Sequence, residues 1–332
     1  MIRTPDWYYR QDARGAPWWR PALKPLAWLW QTVNANKRRK ATPYRSSLFV
    51  ISVGNLTVGG SGKTPVTGEI LRLLAGQAIG LSKGHGGSVE GPARVAPSDD
   101  ARHVGDEALM LAQTYPFMIA KDRAAGLRAL EGGGLPVVVV DDAHQNLKIA
   151  KDLNILVVDG DVSDGGWPFG DGGIVPYGPL RESLPAGLDR ADICVLWLPD
   201  ADTTPDPELV KLLRVKPLFV ARLTAQSGVR PGPVTAFAAI AKPWKFKATL
   251  QHLGFNVVHF QAFADHAVIP AGRLKALEKL GVPLITTQKD WVKLDAEWRS
   301  KVACLPIEAR FDDESGFVAA LNAATVKSVG RV

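Results

Sequence analysis

The sequence predicts an α/β protein, a parallel sheet with helices on both faces followed by a smaller C-terminal α/β lobe. Three observations carry this. Short apolar runs of strand character (48–53, 80–82, 117–120, 137–141, 155–159 and 193–198) alternate with helix-like stretches such as 106–113 and 123–131, the pattern of parallel strands joined by crossover helices. The first run leads through a glycine-rich loop into a helix-like segment, Val66 to Leu74. Beyond residue 233 the alternation resumes on a smaller scale, with strand-like 234–238, 257–260 and 284–287 and helix-like 244–252 and 274–280.

The loop, Val53-Gly54-Asn55-Leu56-Thr57-Val58-Gly59-Gly60-Ser61-Gly62-Lys63-Thr64-Pro65, has the strand, glycine loop, helix order of a phosphate-binding loop. Glycines let backbone N–H groups turn onto a polyphosphate, and the helix N-terminus adds its positive end. Lys63 reaches the terminal phosphates and Thr64 can hold Mg²⁺, with Gly59, Gly60, Ser61, Gly62 and Pro65 shaping the cradle. Thr57 stands where the common pattern has glycine, so this is a variant loop. A plain glycine turn with a solvated lysine is the competing reading, and the flanking strand and helix speak against it. The sheet is therefore P-loop NTPase-like, and the implied ligand is a nucleoside triphosphate.

At 332 residues, 46% hydrophobic and 22% charged, the chain is long and apolar enough for two domains, and disorder is not the expected state. The expected division is an arm (1–45), a P-loop core (46–205), a linker region (206–232) and a C-terminal lobe (233–325). Cys194 and Cys304 have no metal-like spacing and read as apolar filler.

The net charge of +7 is concentrated at one end: residues 1–45 hold ten Lys/Arg against Asp6 and Asp12, so the remaining residues sum to about −1. Half of the ten tryptophans (Trp7, Trp18, Trp19, Trp28 and Trp30) lie there too. Together with the apolar stretch 21–33 and Lys37-Arg38-Arg39-Lys40, they suggest an anchor lying in a membrane interface, its cations toward acidic headgroups. The stretch is too short, and too interrupted by Lys24 and Pro25, to span a bilayer, and no signal-peptide layout is present. A helix packed on the protein's own core with a solvated basic tail is the alternative. No nucleic-acid motif accompanies the basic run, and no protein partner is predicted.

Asp141-Asp142 end the run 137–140, placing two carboxylates at a strand's carboxyl edge, where an acid that organises Mg²⁺ belongs. A turn or helix-cap role is the alternative. Next come His144, Gln145 and Asn146, polar groups able to orient a ligand. Asp106 precedes a helix-like stretch and reads first as its N-cap; facing the phosphate loop it would instead be a base. Asp265-His266 could tune a base, though spacing alone favours a structural histidine. Arg123 and Arg181, the latter followed by Glu182, are placed to fork a phosphate. The stretch 160–178, with seven glycines and two prolines, reads as a flexible cover.

Taken in order, SVGNLTVGGSGKTP, LSKGHGG, VGDEALMLA, KDR, VVDDAHQNLKIAKDLNILVVD, YGPLRESLPAGLDRAD, AFAAIAKPWKFKATLQHLG, FADH and TTQKDWVKL resemble the tetraacyldisaccharide 4′-kinases, from about Trp18 to Leu294. The resemblance implies ATP- and Mg²⁺-dependent phosphorylation of the 4′-hydroxyl of a tetraacyldisaccharide 1-phosphate, a step of lipid A (lipopolysaccharide) biosynthesis. The place would be cytoplasmic, peripheral on the inner face of the bacterial inner membrane, with residues 1–45 toward the membrane. Carried onto this chain, Lys63 and Thr64 would hold phosphates and metal, and Asp141 and Asp142 would organise Mg²⁺. Asp106 would accept the hydroxyl proton with help from His266, while Arg123, Arg181, Glu182, Gln145 and Lys83 would line the phosphate and substrate site.

Some positions depart from the family pattern. Lys83 and His85 stand for arginine and tyrosine, Ala143 for a glycine, and Ala239 and Ala241 for two more. If the 143 position needs a positive φ, alanine strains it by roughly 1 kcal/mol. The alternatives to the kinase reading are a membrane-associated P-loop ATPase or binding protein, and a degenerate, poorly active family member.

Overall fold

The computed structural model describes residues 5–163, 165–225 and 228–329, with side chains as far as Thr325. Two short 3₁₀ turns (Asp6–Tyr9, Arg20–Leu23) lead into α1 (Lys24–Lys40), β1 (Phe49–Gly54), α2 (Lys63–Leu73), β2 (Ala78–Ser82), β3 (Ala93–Val95), α3 (Ala101–Val104) and α4 (Asp106–Ala112). Then come β4 (Phe117–Ile119), α5 (Arg123–Leu130), β5 (Val137–Asp141), β6 (Leu153–Asp159), α6 (Leu184–Asp189), β7 (Ile193–Leu198), α7 (Pro207–Leu213) and β8 (Leu218–Ala225). The rest is β9 (Pro233–Ala238), α8 (Pro243–His252), β10 (Asn256–Ala262), α9 (Ala271–Glu278), β11 (Leu284–Thr287), α10 (Gln288–Trp291), α11 (Ala296–Lys301), β12 (Val302–Leu305), β13 (Ile307–Phe311) and α12 (Glu314–Val329).

The strands form a nine-stranded sheet, β13-β8-β7-β6-β1-β5-β2-β4-β3, and a four-stranded one, β10-β9-β11-β12. In the large sheet only the edge strands, β3 and β13, run antiparallel to their neighbours; the small sheet is parallel throughout. The uninterrupted valines of β5 follow from its central place. Val137 and Val139 face a core with Ile51 and Val53 of β1, Val66 and Ile70 of α2 and Phe317 of α12. Val138 and Val140 face Val50 and the Ala124, Leu127 and Leu130 side of α5. A strand buried on both faces has no polar alternation to show.

Within the 206–232 stretch, expected as a linker, residues 207–213 form α7 and 218–225 form β8 of the large sheet. Asp206 caps α7 by accepting from the N–H groups of Glu208 and Leu209, and Pro207 occupies the first turn, where a missing N–H costs nothing. β8 then pairs parallel with β7. Prolines that suggest a connector are here a helix start. The small lobe likewise gives back its last elements: β13 pairs antiparallel with β8, and α12 packs Phe317 and Leu321 into the large core. The lobe is thus an insertion between β8 and β13.

The basic N-terminal segment does not all face outward. Arg20 is buried, its Nη2 donating to both carboxylate oxygens of Asp171 (2.7 and 2.8 Å) and its Nε to the Tyr177 carbonyl at 2.9 Å. Trp167 N–H donates to the Tyr9 carbonyl, and Phe169 is buried. The described part of 160–178, expected as a flexible cover, is therefore fastened by the N-terminal segment. By contrast Trp18 (91% exposed), Trp28 (67%), Leu26, Leu29 and Val33 stay open to solvent. No helix among the described residues is long and apolar enough to cross a membrane.

Candidate active site

β1 ends at Gly54 and the chain turns through 55–62 into α2. Gly59 (φ 87°) and Gly62 (φ 81°) take left-handed conformations that other residues adopt only with strain. A Cβ on Gly62 would lie 2.4 Å from Cγ of Trp197, so the indole at the end of β7 backs the loop. Asn55 cross-braces it from inside, its Nδ2 donating to the Thr57 carbonyl and to Ser61 Oγ, both at 2.8 Å. Gly60 faces the small lobe, its missing Cβ 4.0 Å from Cβ of Ala241.

Parallel pairing of Val53 with Asp141 sets the β5 acids beside this loop. Asp141 is buried; its Oδ1 accepts from Thr67 Oγ1 at 3.1 Å, and Thr64 Oγ1 stands 3.5 Å from Oδ2. Burial, then the charge of Glu107, push its carboxyl up to about 7, with Lys63 opposing. Asp142 sits at φ 49°, 3.6 Å from Lys63 Nζ and 3.1 Å from Arg181 Nη1. Burial disfavours its charge, but Lys63 and Arg181 outweigh that and hold it at about 2. The left-handed residue is thus Asp142, whose type tolerates it, while Ala143 is a buried core residue at negative φ. The strain expected at Ala143 does not arise.

Asp106 is not the N-cap of α4. Gly105 (φ 88°) takes that position, and Asp106 is the first helical residue. Its carboxylate instead meets His266 of the small lobe, Oδ2 to Nδ1 at 2.9 Å. His266 is itself at φ 59°, its N–H donating to the Ala239 carbonyl, which fixes the ring's approach. The hydrogen bond it donates to Asp106 raises the imidazole above its ordinary 6.5, while burial and Lys289 oppose. For Asp106 itself burial favours the acid form, but His266, Lys289 and Lys293 together hold it below the usual carboxylate range.

Sequence reasoning missed the residues around this pair. Lys289 Nζ lies 3.3 Å from His266 Nε2 and 3.1 Å from Glu107 Oε1. Lys293 stands 3.9 Å from Asp106 and 2.7 Å from Asp290, and Asp290 accepts from the Ala239 N–H at 2.8 Å. The available signal was the KD pair of TTQKDWVKL, set immediately after the strand β11. Glu107 pairs with Lys289 of the small lobe at 3.1 Å, and its negative charge adds to the burial that raises the Asp141 carboxyl.

The remaining expected residues divide. Arg181 donates to Asp142 and to the Thr57 carbonyl, beside the phosphate loop. Arg123 is buried, its Nη2 3.4 and 3.3 Å from the carbonyls of Asp141 and Asp142, so it braces their turn. Glu182 is buried rather than open to a cleft: it pairs with Arg190 (2.6 Å) and Arg38 (2.7 Å) and accepts from Gln145 Nε2 at 3.0 Å. Arg38, expected to face headgroups, is therefore turned inward. Burial, then the charge of Arg190, push the neighbouring Lys151 down to about 8. Lys83 is exposed just past β2, and His85 lies edge-on to His266, ring centres 5.3 Å apart.

Two clefts border this arrangement. One, about 480 Å³, is lined by His85, Asp106, His266, Ile269, Lys293 and Trp298 among others. A second, about 220 Å³, lies beside Gly59 and includes Tyr9, Trp167, Lys242, Trp244 and Lys245. Among the described residues no group of three or more His, Cys, Asp or Glu side chains could hold a metal ion unaided. The hard oxygens of Thr64, Asp141 and Asp142 nevertheless fit a Mg²⁺ shared with nucleotide phosphates. The raised Asp141 carboxyl marks a buried acid short of positive charge.

A parallel sheet whose first strand feeds a glycine loop and helix, with paired acids on the adjoining strand and an aspartate–histidine pair opposite, defines a P-loop kinase. The family model for tetraacyldisaccharide-1-P 4′-kinase matches residues 19–326. The chain belongs to this tetraacyldisaccharide 4′-kinase family. It is 46% identical to the tetraacyldisaccharide 4′-kinase of Phenylobacterium zucineum (strain HLK1), over 97% of this chain and 99% of that one. With that of Caulobacter vibrioides (strain NA1000 / CB15N) it shares 44% over 97% and 98%. The crystal structure of "apo" form LpxK from Aquifex aeolicus in complex with ATP superimposes with a TM-score of 0.70 at 25% identity, over 92% of this chain and 99% of that chain.

Proposed function

We propose that this chain transfers the γ-phosphoryl group of ATP to the 4′-hydroxyl of tetraacyldisaccharide 1-phosphate in lipid A biosynthesis. The observation that carries this is the Asp106–His266 pair, assembled from two lobes, with Glu107 and Lys289 bridging the same two lobes beside it. Such a base can serve water or an alcohol; what favours a larger acceptor over water is the cleft of about 480 Å³ that opens onto the pair.

The glycine-loop N–H groups and Lys63 hold the phosphates, and the pocket beside Gly59 takes the nucleoside. Thr64, Asp141 and Asp142 would hold Mg²⁺, which when bound neutralises charge on the phosphates. Arg181 keeps Asp142 aimed at the cradle. The Asp106–His266 pair takes the proton of the 4′-hydroxyl as its oxygen bonds to the γ-phosphorus and the bond to the bridging oxygen breaks, releasing ADP. Closing the small lobe over the loop excludes water.

The protein works at the inner face of the inner membrane. There the exposed Trp18, Leu26, Trp28 and Leu29 enter the interface and Lys37, Arg39 and Lys40 meet acidic headgroups. The test is transfer from γ-labelled ATP with Mg²⁺ to tetraacyldisaccharide 1-phosphate in detergent, with Lys63→Ala as control. Label in the lipid, absent in the variant, is the expected result; bound nucleotide with unlabelled lipid would overturn the reading.

A further inference from the structure

The basic run at the end of α1 reads as a uniform surface charge, yet its members do different things. Lys37, Arg39 and Lys40 are exposed. Arg38 reaches back to Glu182 at 2.7 Å, a carboxylate with 3% of its side chain exposed. Glu182 also accepts from Gln145 Nε2 at 3.0 Å, and the same nitrogen donates to the Asn55 carbonyl at 2.8 Å. Asn55 is the residue whose amide ties Thr57 to Ser61 inside the phosphate loop. A second contact runs in parallel, with the Trp30 indole N–H donating to the Arg181 carbonyl at 3.1 Å while the Arg181 side chain grips Asp142 and Thr57.

α1 therefore touches the consecutive residues Arg181 and Glu182, and both pass the contact to the nucleotide cradle. We infer that Arg38 is a positioning residue for the phosphate loop, so that the seat of α1 sets nucleotide affinity through Glu182, Gln145 and Asn55. This rests on the kinase reading. The consequence is that a helix carrying Trp28, Leu26 and Leu29, exposed for a lipid surface, is also mechanically linked to the loop that holds ATP. Without Arg38, Glu182 keeps Arg190, whose Nη2 donates to both of its oxygens, so the buried acid is not orphaned and the fold survives; what is lost is the pull that holds Glu182 toward Gln145.

The test uses the full chain. Affinity for a non-hydrolysable ATP analogue with Mg²⁺ is measured by calorimetry, and binding to phosphatidylglycerol-containing vesicles by sedimentation. Arg38→Ala is expected to weaken nucleotide binding about fivefold, the scale of one charge-assisted contact, with vesicle binding unchanged and Arg38→Lys recovering part of the loss. Lys37→Ala and Arg39→Ala should show the opposite pattern. A cycle with Gln145→Ala separates a relay from general loosening: through a shared Glu182 the two effects are non-additive, whereas independent damage adds. Unchanged nucleotide affinity in Arg38→Ala, or additivity in the cycle, overturns the inference alone. A parent protein that binds no nucleotide overturns the kinase reading and the inference with it.

Discussion

Asp106→Asn is the sharpest probe of the proposed chemistry. The substitution keeps the shape and one acceptor but removes the charge facing His266. That charge-assisted hydrogen bond, 2.9 Å long, is worth roughly 1.5–3 kcal/mol, which is about one to two pH units of imidazole basicity. His266 must be unprotonated to take part in removing the hydroxyl proton. Because Asp106 raises its pKa above 6.5, transfer by the parent falls as pH drops through a value above 6.5. In the variant the Asp106 contribution is gone while Lys289, 3.3 Å from Nε2, still repels a proton, so the acid limb moves to lower pH. The plateau falls as well, by about 10²- to 10⁴-fold, the usual contribution of a positioned base. The assay is initial-rate transfer from γ-labelled ATP between pH 5 and pH 9, with nucleotide affinity measured alongside. An acid limb at the same pH in both proteins would refute the coupling, and an unchanged plateau would remove Asp106 from the chemistry.

Further outcomes follow from the same geometry. Lys289→Met removes a charge that lowers the His266 pKa, so its acid limb should move to higher pH; a downward shift would contradict the assigned neighbourhood. Asp141, with its carboxyl near 7, is about half protonated at pH 7 and should release about half a proton when Mg²⁺ and nucleotide bind there. Calorimetry in two buffers of different ionisation enthalpy should detect that proton, and Asp141→Asn should abolish the difference. Gly62→Ala places a Cβ at φ 81° against Trp197, costing about 2–4 kcal/mol from left-handed strain and overpacking. Denaturant unfolding measures it, and a loss below about 0.5 kcal/mol would mean the indole yields freely.

The phosphate loop, the strand-end acids and the alternating elements were legible because each is a local signal. Glycines, Lys63 and Thr64 fall within a few residues, and an apolar run ending in two aspartates locates a strand end without knowledge of its neighbours. The 206–232 stretch was not legible in the same way. Its prolines mark a capped helix start, and β8 becomes a sheet strand only because β7 and, from the far end of the chain, β13 pair with it.

The sequence by itself thus determined the fold class and the nucleotide cradle, since backbone conformation and short-range spacing suffice for both. Only tertiary structure decided the roles of charged side chains. Asp106 reads as a cap until the small lobe brings His266 to it across 160 positions of sequence. Lys289 and Glu107 gain meaning only as neighbours of that pair. Arg38 and Arg20 look like surface charge until their partners, the buried Glu182 and, for Arg20, Asp171, come from distant loops. A carboxylate or cation takes its protonation and its role from groups a few ångströms away, and the linear order of residues does not record which groups those are.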